Sequence, residues 1–279
     1  MIKMQFRPLK RFGQCFLDDE SVAEQIAETI ELDGKNVLEI GAGTGILTAF
    51  LAARAKKVTA LEVDARLIPE LRQSVLEFDN VEIVRADALY SEFSGYDAVF
   101  GNLPYNISTP LLLKIIESNS PFAVLMVQKE FAQRLVAKPD SREYSRLSVL
   151  AQNNASVSII SFVPASCFSP SPRVDSAIVL LEKKRASQVN KLDAALINSL
   201  FQHKNQTVRN ALMHSAGNFG FGKEEIKKAV AKLSLSERRA CSLAVEELTL
   251  LSDEWKRAIK ATTKKKTVFN PTLIRYLPL

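Results

Sequence analysis

Histidine is nearly absent from this chain, with two in 279 residues, and cysteine is scarce, with three at positions 15, 167 and 241. These cysteines stand too far apart for a redox pair or a zinc cluster, and only His203 and His214 are available to supplement them. No metal is expected, and the compartment should be a reducing one, the cytoplasm. Long apolar runs are also missing. Phe122 to Val127 and Ala177 to Leu181 are the longest, far short of the roughly 20 residues of a membrane helix, so no membrane partner is expected. The first seventeen residues carry Lys3, Arg7, Lys10 and Arg11 without an acid, but they lack the serine enrichment and amphipathic pattern of a transit peptide.

What is present is a chain able to build a substantial core, with 47% hydrophobic residues. Its charge is uneven. Residues 1 to 185 hold 21 Lys and Arg against 23 Asp and Glu, while residues 186 to 279 hold 16 against 8. The whole basic excess therefore lies in the last third, including the short run Lys264-Lys265-Lys266. This division matches an expected boundary at Lys183-Lys184-Arg185-Ala186-Ser187, giving domains of residues 1–185 and 186–279.

The chain is organised around residues 36–48, where a buried-strand pattern, Asn36-Val37-Leu38-Glu39-Ile40, runs into Gly41-Ala42-Gly43-Thr44-Gly45 and then a helix start. Alternate glycines allow positive φ and close backbone approach to a ligand. A dinucleotide fingerprint places its third glycine five residues after the first, whereas here position 46 is Ile. Glu39 would repel a pyrophosphate and attract a ligand ammonium group. Both departures favour S-adenosylmethionine over NAD. Twenty-one residues after Gly41 comes Glu62, at the end of Val58-Thr59-Ala60-Leu61 and suited to two ribose hydroxyls. Asp87, after Val81 to Val84, is suited to an adenine amino group.

Strand and helix patterns alternate around this turn, as a parallel, doubly wound sheet demands. Asp97 to Phe100 reads as a fourth strand, Phe122 to Val127 as a fifth, and Ser156 to Phe162 with Ala177 to Leu181 completes about seven. Asp64 is expected to cap a helix whose stripe is Leu67, Leu71 and Val75. Lys138 to Arg142 reads as a surface loop. Beyond Ser187, Leu196-Leu200, Val208-Leu212 and Ile226-Val230-Leu233 show helical spacing, and Ser252 marks the expected start of a further helix. The architecture is therefore α/β, with a smaller all-helical C-terminal domain.

The fourth strand runs into Asn102-Leu103-Pro104-Tyr105. An exocyclic adenine amine is a weak nucleophile because its lone pair is delocalised into the ring. Asn102 Oδ1 and the Leu103 carbonyl could accept from its two hydrogens and draw the nitrogen toward tetrahedral geometry. Pro104 fixes the turn, and Tyr105 can stack on the base. Attack on a sulfonium methyl needs positioning more than a strong base.

Residues 10–17 (Lys10-Arg11-Phe12-Gly13-Gln14-Cys15-Phe16-Leu17), Glu39 to Gly45, Glu62, Asp87, Asn102 to Tyr105 and Phe168-Ser169-Pro170-Ser171-Pro172-Arg173-Val174-Asp175-Ser176 together resemble the small-subunit ribosomal RNA adenine dimethyltransferase family. The similarity continues through Leu200-Phe201 and Arg209 to Leu212. The resemblance implies a Rossmann-like class I methyltransferase sheet and a helical RNA-docking domain. It also implies N6-dimethylation of two adjacent adenosines in the 3′-terminal hairpin of small-subunit ribosomal RNA, within a pre-ribosomal small subunit, by a monomer using S-adenosylmethionine. Carried over residue by residue, Gln14, Cys15, Leu17, Glu39, Gly41, Gly43, Glu62, Asp87 and Asn102 bind the donor. Asn102, Leu103, Pro104, Tyr105 and Phe168 serve catalysis, Tyr105 and Phe168 by holding a flipped adenine. Cys15 replaces the Asn of many members, leaving only a backbone contact to expect there. Three alternatives stand beside this reading: a large-subunit RNA methylase, a non-catalytic RNA-binding factor on the same fold, and a methylase of DNA adenine or protein glutamine.

Overall fold

A computed structural model describes residues 14–263. In chain order the elements are β1 (Phe16–Leu17), α1 (Glu20–Ala27), β2 (Asn36–Ile40), α2 (Ile46–Ala52), β3 (Lys57–Glu62), α3 (Ile68–Ser74), β4 (Val81–Arg85), β5 (Ala98–Asn102), α4 (Ser108–Glu117), β6 (Phe122–Gln128), α5 (Lys129–Leu135), α6 (Arg146–Asn154), β7 (Ala155–Val163), β8 (Phe168–Ser169), β9 (Ser176–Lys183), α7 (Ala194–Gln202), α8 (Val208–His214), α9 (Lys223–Val230) and α10 (Val245–Thr263). They fall into two compact units.

The first unit comprises the described residues up to Ala137 together with Leu150–Val189. Its seven-stranded sheet has the order β4-β3-β2-β5-β6-β9-β7. The first five strands in that order are parallel, and β9 runs antiparallel to both β6 and β7. The expected seven strands are thus present. Continuous apolar runs such as Val124-Leu125-Met126 are buried on both faces, as the middle of a covered parallel sheet requires. Strand order reverses between β2 and β5, and a ligand crevice opens at the carboxyl ends of strands at such a point. Two backbone features shape it. Gly45 stands at φ +93° as the N-cap of α2, where an added Cβ would lie 2.9 Å from Leu71 Cδ1, and a Cβ on Gly101 would lie 2.7 Å from Ile40 O. No other residue fits either position.

The second unit comprises Lys138–Val149 and the described residues from Asn190 on. Lys138–Val149 is a segment that chain order alone would assign to the first domain. Tyr144 anchors it, fully buried, with its hydroxyl donating to Leu243 O at 2.8 Å and its ring edge-on to Phe201 at 5.7 Å. Arg239 pairs with Asp140 at 2.7 Å, and Lys204 Nζ donates to the Arg142 and Tyr144 carbonyls. Ser252 is not a helix start. It sits fully buried in the middle of α10, where its hydroxyl donates to the Leu248 carbonyl one turn back and accepts from Asp193 N–H. Among the described residues, no helix is long and apolar enough to cross a membrane, and no group of three His, Cys, Asp or Glu could hold a metal ion.

Candidate active site

A cavity of about 310 Å³ opens where β2, β3 and β5 end, and its walls include Gln14, Cys15, Leu17, Glu39, Gly41, Gly43, Glu62, Asp87 and Asn102 to Tyr105. Every expected donor-site residue is therefore brought to one place, from segments up to 88 positions apart in sequence. Lys10 to Gly13 lie outside the described residues.

Glu62 is 5% exposed, and its carboxylate is held at both ends. Oε2 accepts from Gly43 N–H and Oε1 from Asp64 N–H, each at 2.8 Å. Burial pushes its pKa up, and the backbone donors oppose that rise. Because each carboxylate oxygen can accept twice, one acceptor position per oxygen remains for two ligand hydroxyls.

Glu39 differs in having almost no support. It is 2% exposed, its Oε2 has no hydrogen-bond partner, and Thr48 Oγ1 beside it has none of good geometry. Burial, moderated by the Thr48 hydroxyl and reinforced by the charge of Glu62, pushes the Glu39 pKa up to about 7. A buried carboxylate with one unpartnered oxygen, lining a cavity, is poised to receive a cationic group. With the ribose-type acceptors of Glu62, it fits an amino acid joined to a nucleoside. Asp87 accepts from Leu89 N–H at 2.9 Å through Oδ1, leaving Oδ2 to accept from a ligand.

Asp64 proves not to be a helix cap, since α3 begins after Leu67. Its carboxylate accepts from Arg66 N–H at 3.1 Å in the turn before that helix, and it receives a bidentate Arg66 guanidinium and the Gln14 amide at 2.9 Å, which together hold it well below the usual carboxylate range. Gln14 is thereby fastened across 50 residues to the loop that follows Glu62.

Asn102 closes the cavity on the β5 side. Its Nδ2 donates to the Cys15 carbonyl at 3.2 Å, so the residue at 15 contributes its backbone here, whatever its side chain. Burial pushes the Cys15 thiol up, keeping it neutral. Leu103 is fully buried, and its N–H donates to Met126 O at 3.0 Å. Burial also raises the Tyr105 pKa, and its phenol hydrogen-bonds Ser176 Oγ at 2.9 Å.

Phe168 is not brought to this cavity. It is 4% exposed and packs in the core with Leu17, Val22, Met126, Val163 and Ile178. It lies in β8, paired with β1 through Leu17↔Phe168 and Phe16↔Ser169, with its ring in the core. Phe16, which sequence reasoning did not single out, does line the cavity, and a Cβ on Gly43 would stand 3.3 Å from its ring. Its signal lay in being the aromatic between two expected donor-site residues.

The family model described as ribosomal RNA adenine dimethylase matches residues 5–230. A Methanococcus maripaludis protein named probable ribosomal RNA small subunit methyltransferase A is 42% identical over 233 residues, covering 81% of this chain and 89% of its own. The Thermococcus gammatolerans protein of the same name is 40% identical over 247 residues, covering 88% of each. Among solved structures, a dimethyladenosine transferase from Plasmodium falciparum superposes with a TM-score of 0.77 at 30% identity, over 87% of this chain and 98% of that one. The 23S rRNA methyltransferase ErmE superposes at 0.64 and 28% identity, over 86% and 99%.

Proposed function

The chain belongs to the ribosomal RNA adenine dimethylase family, and with that membership as premise we propose that it dimethylates N6 of two adjacent adenosines in the 3′-terminal hairpin of small-subunit ribosomal RNA. The observation that carries this reading is the convergence of Glu39, Glu62 and Asp87 with the Asn102 to Tyr105 loop on one cavity. S-adenosylmethionine, when bound, supplies an electrophilic methyl group on a sulfonium. Glu39 would receive its ammonium group, Glu62 its ribose hydroxyls and Asp87 its adenine amine.

The remaining chemistry falls to the chain's own groups. Asn102 is oriented by Cys15 O, so its Oδ1 is the free end of the amide, available to accept from a target amine and localise the nitrogen lone pair. Tyr105, a neutral phenol tied to Ser176, presents a ring on which a base can stack. Apolar walls such as Leu47 and Ile107 exclude water from the reacting centre.

We assign donor binding and catalysis to residues 1–185 and RNA docking to residues 186–279. The enzyme is read as a cytoplasmic monomer acting on a pre-ribosomal small subunit. The basic excess of the last third supports the docking role. On α9, Lys227 and Lys228 are exposed, as are Lys223 at its start and Lys232 just beyond it, and among the described residues none of the four makes an ion pair. By contrast, Arg209, Arg238 and Arg239 are committed to Glu237, Glu247 and Asp140.

The second reading is large-subunit methylation, favoured by the ErmE superposition. One experiment separates the two. The protein is incubated with labelled donor and unmodified small or large subunits, and the labelled nucleotides are mapped. Label on two adjacent small-subunit adenosines supports the proposal, and label confined to large-subunit RNA overturns it.

A further inference from the structure

Lys114 lies on α4, the helix that leads out of the Asn102 to Tyr105 loop. Its ammonium donates to two consecutive main-chain carbonyls, Ala88 O and Leu89 O, each at 2.8 Å, and stands 4.6 Å from the centroid of the Phe93 ring. These carbonyls belong to the loop after β4. In that loop Asp87 Oδ1 accepts from Leu89 N–H, and the Asp87 carbonyl accepts from Tyr90 N–H and from Ser91 Oγ. Both Asp87 and Leu89 line the donor cavity.

An ammonium is strongly hydrated and favours water over a partly buried site. Burial here pulls the Lys114 pKa below the ordinary lysine value, opposed by the charges of Glu92 and Asp87. If α4 needed only to cover Phe93, an apolar side chain of the same length would do so without that desolvation cost. The ammonium instead spends two of its three donors on adjacent carbonyls, and this fixes the orientation of both peptide planes.

We propose that Lys114 is a positioning residue for the donor's nucleobase. By holding the Ala88 and Leu89 carbonyls, it sets where the Asp87 carboxylate and the Leu89 side chain stand in the cavity. Because it rides on α4, it ties that placement to the loop bearing Asn102. The inference rests on the reading of Asp87 as the acceptor for the adenine amine.

The consequence is base selectivity, which can be read without turnover. Calorimetry on the full-length protein compares S-adenosylhomocysteine with its deaminated analogue, in which a ring carbonyl replaces the adenine amino group. The wild type should prefer the adenine form by about tenfold or more, the value of a buried hydrogen bond to a charged acceptor. Lys114→Met keeps the apolar stem but frees the carbonyls, and should reduce the preference to within about threefold by weakening adenine binding. Lys114→Arg can also donate to both carbonyls and should restore the preference. A helix-packing role alone would lower stability and both affinities together, leaving the ratio unchanged. A wild type with no preference overturns the Asp87 assignment itself. A wild-type preference that survives undiminished in Lys114→Met overturns the role of Lys114. Should Lys114→Met fail to fold, Lys114→Gln, with a donor for one carbonyl, reads the same ratio, and an undiminished preference there overturns the proposal equally.

Discussion

The Asn102 side-chain amide donates to the Cys15 carbonyl at 3.2 Å, so the residue expected to activate the target amine is oriented by backbone from the start of the described chain. With Nδ2 occupied, Oδ1 is the group left to face a substrate. Asn102→Ala should slow single-turnover methylation about a hundredfold while changing donor affinity less than about fivefold, because the lost interaction strengthens as the amine becomes tetrahedral. A near wild-type rate under single-turnover conditions would assign activation to another group.

Glu62 offers a sharper test than truncation. In Glu62→Gln one carboxylate oxygen becomes an amide NH2, which must then face either the Gly43 or the Asp64 N–H in place of an acceptor. Donor affinity should fall at least tenfold, at a cost of about 1.5 to 3 kcal/mol. Equal affinities for variant and wild type by calorimetry would remove Glu62 from donor binding.

Glu39 links donor binding to stability through its raised pKa. An acid whose folded pKa of about 7 lies above its ordinary 4.5 costs nothing below the lower value. It destabilises the fold progressively between the two and by a constant amount above about 7. Glu39→Gln should therefore be more stable than the wild type at pH 8, by at most about 3.5 kcal/mol at about 1.4 kcal/mol per pKa unit, with the gap closing toward pH 4.5. The same variant should bind donor more weakly, and wild-type donor affinity should decline as pH falls below 7. Superimposable pH profiles for the two melting temperatures would contradict this.

Phe168 yields a stability prediction. Packed with Leu17, Met126 and Ile178 at 4% exposure, it should cost about 3 to 5 kcal/mol when replaced by Ala, as buried aromatics do. Denaturant unfolding measures this directly. A loss below about 1 kcal/mol accompanied by failed methylation would favour base stacking over a core role.

The four lysines on and just beyond α9 should govern RNA affinity. Replacing Lys223, Lys227, Lys228 and Lys232 together by Ala should flatten the log–log salt dependence of RNA binding by up to about 3, given about 0.7 per lost phosphate contact on single-stranded RNA. Donor affinity should be unchanged. An unaltered salt slope in a filter-binding titration would place docking elsewhere.

Local signals carried much of the design. Glycine spacing, strand-end acids and alternating periodicity led to the sheet and to Glu39, Gly41, Gly43, Glu62 and Asp87, because each is encoded within a few positions, whereas Gln14, Cys15 and Leu17 came only from the family resemblance. What escaped was pairing across long separations. Asp64 read as a cap because Asp before an apolar stripe usually is one, and nothing near it announced Gln14, 50 residues away. Phe168 read as a stacking aromatic because the family resemblance assigns it to a flipped adenine. The two-residue β1 to β8 ribbon that holds it has no periodicity to detect. Ser252 read as a helix start because Asp253 and Glu254 follow it, and nothing near it announced Asp193, whose N–H it receives from 59 residues away.

Tyr144 reaches its hydroxyl partner across 99 residues, and that gap is also an interval of time. At synthesis rates of about 5 to 20 residues per second, Leu243 follows Tyr144 off the ribosome by roughly 5 to 20 s, ample for the intervening strands to collapse. Until Phe201 emerges, 57 residues on, a ring destined for full burial lacks even its aromatic neighbour. Lys138 and Arg142 flank it with charge, which would keep the waiting segment in water rather than on a neighbouring nascent chain.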